Sequence, residues 1–337
     1  MKIFLLTILL AITASAQTAR RPAGKKSASG NAAKPEVIYR WDNQASGVED
    51  DLLSVSFVNQ QVGYAAGKAN TILKTTDGGK TWARLLESRD GVDFHSIVFT
   101  SPTDGWATGR SLLHTSDGGE SWQPAVPLPG PEGFGGGSML GSARMQLHVP
   151  TMGAGVFRSD DGGRTWKSMG DVLRNDWETV FFVDDQHGWV AGNYGRLGAT
   201  VDGGATWKEL PPPLKGHFTK IQFISPQVGW LLPQGGSQGG PLATTDGGAT
   251  WNTQYAGVDT GRPLMDMQFL NAQTGFLLAE ANRNQLVLAT QNGGKSWRTI
   301  GNIEKYARAL SFPQADEGWA VGPRGYIVHY HKVVPEK

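Results

Sequence analysis

Short runs of alternating apolar and polar residues follow one another along most of the chain, and turn-forming residues separate them. In one stretch, FHSIVF (94–99) is followed by GWATG (105–109), SLLHT (111–115) and, after a turn, SWQPAV (121–126). Alternation with a period of two residues is typical of β-strands. Outside the N-terminal segment, no stretch carries a sustained helical stripe of apolar residues. The pattern predicts an all-β chain built from four-stranded antiparallel meanders.

A box of the form [S/T]-x-[D/N]-G-G-x-[S/T]-W recurs along the chain. Its six copies end at tryptophans that are 40, 44, 41, 44 and 46 residues apart. That period suits one small sheet per repeat. The boxes begin at Thr75, Thr115, Ser159, Thr200, Thr244 and Thr290.

A second pattern, here called the strand pair, is a strand ending in Phe, a polar turn, and Gly followed by an aromatic residue. It also occurs six times, but the third unit has a box with only a glycine-rich remnant before it, and the last unit has a strand pair without a box. Counted together, the two patterns give seven units. They predict a seven-bladed β-propeller, an arrangement that leaves only short, protected edges. The strand pairs contain Phe57, Phe99, Phe182, Phe223, Phe269 and Phe312.

The two ends of the repeat array complement each other. The last unit ends in GYIVHYHK (Gly325–Lys332), whereas EVIYRWDNQ (36–44) precedes the first unit and has Trp41 where a box tryptophan would stand. We expect this N-terminal strand to complete the last blade and to cover an edge that could otherwise pair with another chain. Trp177 stands at a mostly apolar repeat position, which favours core packing over an exposed stacking platform.

The N-terminus predicts export. Residues 1–16 have one lysine, an apolar run and an Ala-Ser-Ala site, as in a signal peptide, and residues 17–36 form a basic, low-complexity tether. The propeller is assigned to residues 37–335 and carries 25 basic and 29 acidic residues after residue 36. A net charge of −4 disfavours nucleic-acid binding. We expect a periplasmic or extracellular monomer with no disulfide, since the chain has no cysteine, and no transmembrane span.

The composition of the box favours a structural role. A calcium loop needs six to eight oxygen ligands, but each box has one acidic side chain or, in the last copy, Asn292. A phosphate loop needs a following Lys-Ser/Thr and a helix, which are missing. We therefore interpret the box as a turn in which the Asp or Asn accepts backbone hydrogen bonds and the tryptophan packs inward. The residues given this role are Asp77, Asp117, Asp161, Asp202, Asp246, Asn292, Trp82, Trp122, Trp166, Trp207, Trp251 and Trp297.

The box is identified as the Asp-box, or BNR repeat, of sialidases, related glycosidases, sortilin-like receptors and the photosystem II stability/assembly factors. FVDDQHGWVAGNYGRLGATVDGGATW (182–207), with its strand pair and box, most resembles the last of these families. The resemblance covers roughly residues 37–332 and implies a secreted, seven-bladed, non-enzymatic propeller without a cofactor. Members of that family bind a core protein of the photosystem II reaction centre through an arginine-rich patch.

Loops after the second and fourth strands of a blade lie on the face opposite the boxes, and several carry arginine. Arginine binds carboxylates through bidentate hydrogen bonds, so these residues are candidates for partner binding. The alternative is that they are solvated and balanced by Glu178, Asp259, Asp266 and Glu304. The candidates are Arg110, Arg174, Arg196, Arg262, Arg283, Arg308 and Arg324, of which Arg110, Arg196, Arg283 and Arg324 could form a partial ring.

A secreted sialidase-like or other glycoside hydrolase is the competing hypothesis. It would need a tyrosine nucleophile paired with a glutamate, and the Arg-Ile-Pro stretch expected of sialidases is missing. The candidate tyrosines are Tyr194, Tyr255, Tyr306 and Tyr326, and the candidate glutamates are Glu178, Glu280 and Glu304. His329 and His331 share one face of the last strand but make a poor metal site without a third ligand. The sequence favours an exported, non-catalytic scaffold or assembly factor that binds another exported or membrane protein.

Overall fold

A computed structural model describes most of the chain after the predicted tether. The described residues are 38–86, 93–109, 112–124, 140–141, 147–151, 155–161, 164–169, 177–234, 240–257, 262–281, 284–303 and 306–333. The predicted signal peptide and tether lie outside these ranges. Among the described residues, no helix has the length and apolar character required to cross a bilayer.

The described residues are almost entirely β-strand and turn, with one 3₁₀ turn at Asn193–Gly195. In chain order the strands are β1 (Ile38–Gln44), β2 (Leu52–Phe57), β3 (Gly63–Gly67), β4 (Thr71–Thr75), β5 (Ala83–Arg84), β6 (Phe94–Phe99), β7 (Gly105–Gly109), β8 (Leu112–Thr115), β9 (Gln123–Pro124), β10 (Leu140–Gly141), β11 (Leu147–Thr151), β12 (Gly155–Ser159), β13 (Lys167–Ser168), β14 (Trp177–Phe182), β15 (Gly188–Gly192), β16 (Leu197–Thr200), β17 (Lys208–Leu210), β18 (Phe218–Phe223), β19 (Gly229–Pro233), β20 (Leu242–Thr244), β21 (Asn252–Thr253), β22 (Leu264–Phe269), β23 (Gly275–Ala281), β24 (Asn284–Thr290), β25 (Arg298–Ile303), β26 (Ala309–Gln314), β27 (Glu317–Val321) and β28 (Ile327–Val333).

The strands form four-stranded antiparallel sheets, and the predicted all-β architecture of four-stranded antiparallel blades is confirmed. Six sheets are simple meanders of consecutive strands: β2–β5, β6–β9, β10–β13, β14–β17, β18–β21 and β22–β25. In one further sheet, β26, β27 and β28 are followed at the edge by β1, which comes from the other end of the chain.

β1 pairs antiparallel with β28 along its whole length, from Ile38 opposite Val333 to Gln44 opposite Ile327. The Trp41 indole donates its Nε1–H to the carbonyl of Ile300 at 3.1 Å, in the neighbouring sheet. Main-chain and side-chain contacts therefore both hold the N-terminal strand in this position.

The core lies between adjacent sheets and is built around the strand-pair phenylalanines. Phe57 stacks on Trp319 of the neighbouring sheet with ring centroids 3.5 Å apart, and Phe223 stacks on Trp189 at the same separation. In the six sheets with a strand pair, the glycine at or next to the start of the second strand is required because the phenylalanine ring lies across it. A Cβ atom on Gly63 would meet the Phe57 ring at 2.4 Å. Trp177 is only 4% exposed, in agreement with core packing.

Candidate functional site

Each box forms one hydrogen-bonded turn around its aspartate or, in the sixth copy, around Asn292. In the first box, Asp77 Oδ1 accepts the N–H of Thr81 at 2.9 Å and the hydroxyl of Thr75 at 2.8 Å, while Asp77 Oδ2 accepts the Thr81 hydroxyl at 2.7 Å. The two box glycines, Gly78 and Gly79, have φ of 73° and 82°, a left-handed conformation that favours glycine. The aspartate is thus fully engaged within its own turn.

These hydrogen bonds lower the pKa of the box aspartates because they stabilise the charged carboxylate. The side-chain and backbone hydrogen bonds from the residue four positions later lower the pKa of Asp77, Asp161 and Asp202 to about 2. The same contacts lower the pKa of Asp117 and Asp246. A carboxylate held ionised in this way suits a structural turn better than proton transfer.

The box tryptophans are half-buried, and five of them pack edge-on against the strand-pair phenylalanine of the same sheet. The Phe57 and Trp82 rings are 5.8 Å apart at 85°, and the Phe269 and Trp297 rings are 6.0 Å apart at 77°. The same arrangement is present for Phe99 with Trp122, Phe182 with Trp207, and Phe223 with Trp251. In these five sheets the tryptophan links the box turn to the core.

Backbone hydrogen bonds define two faces of the array. Box turns bind the turn between the first and second strands, as when Gly78 N–H donates to the carbonyl of Gln61 at 3.0 Å. Turns after second strands instead bind loops that follow fourth strands, as when Gly325 N–H donates to the carbonyl of Asp50 at 2.9 Å. We call these two surfaces the box face and the loop face.

The structure describes four of the seven arginines that the sequence suggests for partner binding. Arg196 pairs with Glu209, with Nε and Oε1 3.3 Å apart, and Arg262 is partly buried. Arg308 and Arg324 are exposed. The other three, Arg110, Arg174 and Arg283, lie outside the described residues. The partial arginine ring therefore stays a prediction.

The loop face also presents tyrosine, which the sequence suggested only for catalysis. Tyr194 is 82% exposed, Tyr255 63% and Tyr306 53%, and all three lie in loops after second or fourth strands. Within the described residues, no hydrogen bond joins these three side chains to a glutamate, and Tyr326 is buried. The sequence placed these tyrosines near the loops, but their exposure becomes visible only in the fold.

Left-handed backbone at residues other than glycine is confined to the same face. Among the described residues, positive φ occurs at Ala69, Asn70, Tyr194 and Arg324, each in a turn after a second strand. Such conformations cost on the order of 1 kcal/mol and persist where surrounding contacts impose them. The backbone N–H of Arg324 donates to Asp51 Oδ1 at 3.1 Å, and this hydrogen bond holds the turn. The guanidinium of Arg324 is exposed.

The two histidines of the last strand, His329 and His331, each contact a carboxylate within their own sheet. His329 Nε2 lies 3.0 Å from Glu317 Oε1, and His331 Nε2 lies 2.8 Å from Asp42 Oδ2. The His329 ring stacks on Trp319 at 4.3 Å. In the part of the chain that the structure describes, no group of His, Cys, Asp and Glu residues could hold a metal ion. β28 is an interior strand that pairs with β1 and β27, and packing within this sheet accounts for both histidines.

Comparisons with known proteins support the resemblance drawn from the boxes. Residues 33–172 match the family described as photosynthesis system II assembly factor YCF48. The photosystem II stability/assembly factor HCF136 of Arabidopsis thaliana is 32% identical over 154 residues, which are 41% of this chain and 37% of the relative. The assembly lipoprotein Ycf48 of Synechococcus sp. (strain CC9902) is 32% identical over 123 residues, which are 34% of this chain and 36% of the relative. The chain thus spans little more than a third of the length of these relatives.

Solved structures support the fold over a longer stretch. A structure described as YCF48 bound to D1 peptide has a TM-score of 0.67 at 19% identity and covers 87% of this chain and 96% of its own. A GH74 enzyme of Niastella koreensis has a TM-score of 0.69 at 14% identity and covers 86% of this chain and 53% of its own. At these identities the likeness concerns the fold, which is that of a β-propeller. The chain therefore resembles the photosystem II assembly factors in the sequence of residues 33–172 and shares their propeller fold.

Proposed function

We propose that this chain is an exported, non-catalytic propeller that acts as an assembly factor or scaffold by binding another exported or membrane protein through its loop face. The exposed tyrosines carry the proposal. Tyrosine and arginine are enriched where proteins bind one another, because they combine a large contact area with hydrogen bonding. Tyr194, Tyr255 and Tyr306 share the loop face with Arg308 and Arg324.

The comparisons support the class of ligand. The relatives are named as photosystem II assembly factors, and one structure of similar fold is described as bound to D1 peptide. The names of the relatives and the peptide-bound structure both favour a protein segment as the ligand of the loop face. The resemblance of 34% of this chain to an assembly lipoprotein supports a role after export, in the periplasm or outside the cell.

The proposal includes a closed ring of seven blades in which the N-terminal strand completes the last one. Trp41 supports closure because its ring meets Phe312 edge-on at 6.2 Å and 76°, the geometry of a box tryptophan. Gln44 adds a contact to the first box, donating its side-chain N–H to the carbonyl of Gly78 at 2.9 Å. A closed ring would present all loops of one kind on one face, which a broad binding surface requires.

Affinity capture from native membranes tests the loop face. We expect the wild-type chain to recover a partner that a Tyr194→Ser/Tyr255→Ser/Tyr306→Ser variant recovers at least tenfold less well, since each exposed ring would lose its contact area. The matched control is Val201→Ser, which removes a residue that is 70% exposed in a box turn on the opposite face.

Titration of the purified chain with D1 peptide adds a defined ligand to this test. Weaker binding by the tyrosine variant than by Val201→Ser would support the loop face. Equal recovery of partners, and equal peptide binding, by all three proteins would show that binding occurs elsewhere. Hydrolysis of a fluorogenic glycoside by the wild type that the tyrosine variant loses would instead favour the glycoside hydrolase.

A further inference from the structure

A cavity of about 410 Å³, here called the axial cavity, lies between the first strands of the sheets. One edge of each first strand pairs with the second strand, so the N–H groups on its other edge need partners from elsewhere. In β2 the register shifts between Leu52 and Ser54, and Ser54 and Ser56 of this strand both line the cavity. The lining is therefore rich in polar side chains.

Several of these polar side chains cap the free N–H groups of the adjacent first strand. Gln222 Oε1 accepts the N–H of Phe269 at 2.8 Å, and Gln268 Oε1 accepts the N–H of Phe312 at 2.8 Å. Serine hydroxyl oxygens do the same: Ser54 for Ile97 at 3.1 Å, Ser56 for Phe99 at 3.3 Å and Ser311 for Phe57 at 2.9 Å. These five acceptor atoms of the lining are thus engaged by backbone donors.

The carboxylate of Asp266, which lines the cavity, also accepts hydrogen bonds. Asp266 Oδ2 accepts the N–H of Leu310 at 2.8 Å, and Oδ1 accepts the N–H of Met267 at 2.8 Å and the ammonium of Lys220 at 2.6 Å. The Asp266 side chain is only 10% exposed. Asp266 therefore serves the cavity wall rather than a loop arginine, which the balanced-charge alternative had suggested.

Donor groups, in contrast, remain in excess. Lys220 carries three N–H bonds, one of which is directed to Asp266, and its side chain is 31% exposed. Arg308 lines the same cavity; its guanidinium makes no hydrogen bond within the described ranges, and its positive charge acts on the Asp51 carboxylate. The serine hydroxyls that accept a backbone N–H still have their own hydrogen to donate. Among the described residues, Lys220 and Arg308 thus bring two permanent cations to a lining with one carboxylate, that of Asp266, while the Asp51 carboxylate lies outside the lining.

We propose that the axial cavity binds a small oxyanion, a carboxylate or a phosphate group, through Lys220 and Arg308 with help from the serine hydroxyls. Hydrogen bonds from ionised donors to an oxyanion are stronger than those between neutral groups, and arginine can make two at once. The cavity volume lies in the range of small-molecule sites. This site does not depend on whether the loop face binds a protein.

Isothermal titration of the full chain with inorganic phosphate and, separately, with succinate tests the site at constant ionic strength. We expect saturable binding by the wild type, at least tenfold weaker binding by Arg308→Met, and no binding by Lys220→Met/Asp266→Asn. The double variant removes the ion pair without leaving a buried charge unpaired. The control is Lys80→Met, which loses the same charge at an exposed position of the first box.

Tighter binding of phosphate than of succinate would assign the site to phosphoryl groups, and the reverse order would assign it to carboxylates; either supports an oxyanion site. Arg308→Met keeps the test decisive if the double variant does not fold, because its guanidinium makes no hydrogen bond in the described part of the chain. The absence of saturable binding by the wild type, or equal binding by the wild type and Arg308→Met, would overturn the proposal.

Discussion

Asn292 occupies the position of the box aspartate in the sixth copy and keeps the same turn. Its Oδ1 accepts the N–H of Ser296 at 2.9 Å, as Asp246 Oδ1 accepts the N–H of Thr250 at 2.9 Å. The Asn292 amide also donates to the Ser296 hydroxyl at 2.8 Å, which replaces the hydroxyl-to-carboxylate bond of the other boxes. The turn requires an acceptor of this size and shape, while the negative charge is dispensable.

The comparison of Asn292 with Asp246 predicts which of two substitutions at Asp246 destabilises the protein more. Asp246→Ala should lower the free energy of unfolding by about 1 kcal/mol, because the N–H of Thr250 and two hydroxyls lose their acceptor. Asp246→Asn should cost clearly less, since the amide can adopt the geometry seen at Asn292. Guanidinium denaturation of the wild type and both variants measures this order. Equal losses would show that the charge, and not the acceptor, stabilises the box.

At the scale of the elements, the last sheet has an acid-sensitive core of its own. Burial, with a smaller contribution from the charge of His331, lowers the pKa of His329 from 6.5 to about 4. Burial raises the pKa of Glu317, which contacts His329, while Asp42 of β1 favours the protonated histidine. β1, β27 and β28 therefore contribute titratable groups to one small cluster.

The depressed pKa of His329 fixes the sign of the pH effect. The unfolded chain binds a proton at this histidine below about pH 6.5, whereas the folded chain resists it until about pH 4, so the stability contributed by the neutral ring is present above pH 6.5 and is lost as the pH falls toward 4. His329→Phe should remove this loss while keeping the stack on Trp319. Denaturation curves at several pH values between 7 and 4 test it, and a parallel decline in both proteins would contradict it.

The box aspartates provide an internal comparison for that experiment. With pKa values near 2 for Asp77, Asp161 and Asp202, the stability that they contribute is present above their unfolded pKa of 3.8 and is lost only as the pH falls toward 2. His329→Phe leaves these residues unchanged. Both proteins should therefore share the same loss of stability below pH 3.8.

Local patterns predicted the elements well because each blade repeats the same short-range rules. The box turns, the strand-pair glycines and the alternation of the strands depend on residues close in sequence, as between Thr75 and Thr81. The axial pair of Lys220 and Asp266 was not predicted, because it joins first strands that are 46 residues apart. Each side chain, read alone, is an ordinary polar residue of a strand, and only the adjacency of the sheets reveals the pair.

The exposure of the loop-face side chains could likewise not be predicted from local sequence patterns. The sequence placed arginines and tyrosines in loops after second and fourth strands, and the backbone hydrogen bonds between those loops agree with that placement. The sequence did not indicate which side chains are free to act. Arg196 is paired with Glu209, whereas Tyr194 is 82% exposed. Exposure depends on how neighbouring loops pack, and no periodic pattern records it.

If β1 closes the ring, the whole array should unfold as one unit. Trp41 contacts Phe312 and Tyr330 from the opposite end of the chain, with ring centroids 6.2 and 5.2 Å apart. Trp41→Ala should lower the free energy of unfolding by about 2–3 kcal/mol, which is less than the roughly 3–5 kcal/mol typical of a buried aromatic residue, because the ring is half-buried. Trp82→Ala is the matched control, since Trp82 makes the equivalent edge-on contact within the first sheet.

If β1 is an integral strand of the last blade, the two variants should lose similar stability, and each should keep a single unfolding transition by fluorescence and circular dichroism. Closure would then couple both ends of the chain to the same cooperative event, because unpairing β1 exposes an edge strand and opens the interface with the first sheet. A Trp41→Ala protein of unchanged stability would contradict closure. So would an early, separate transition in the wild type, since β1 would then detach while the remaining sheets stay folded.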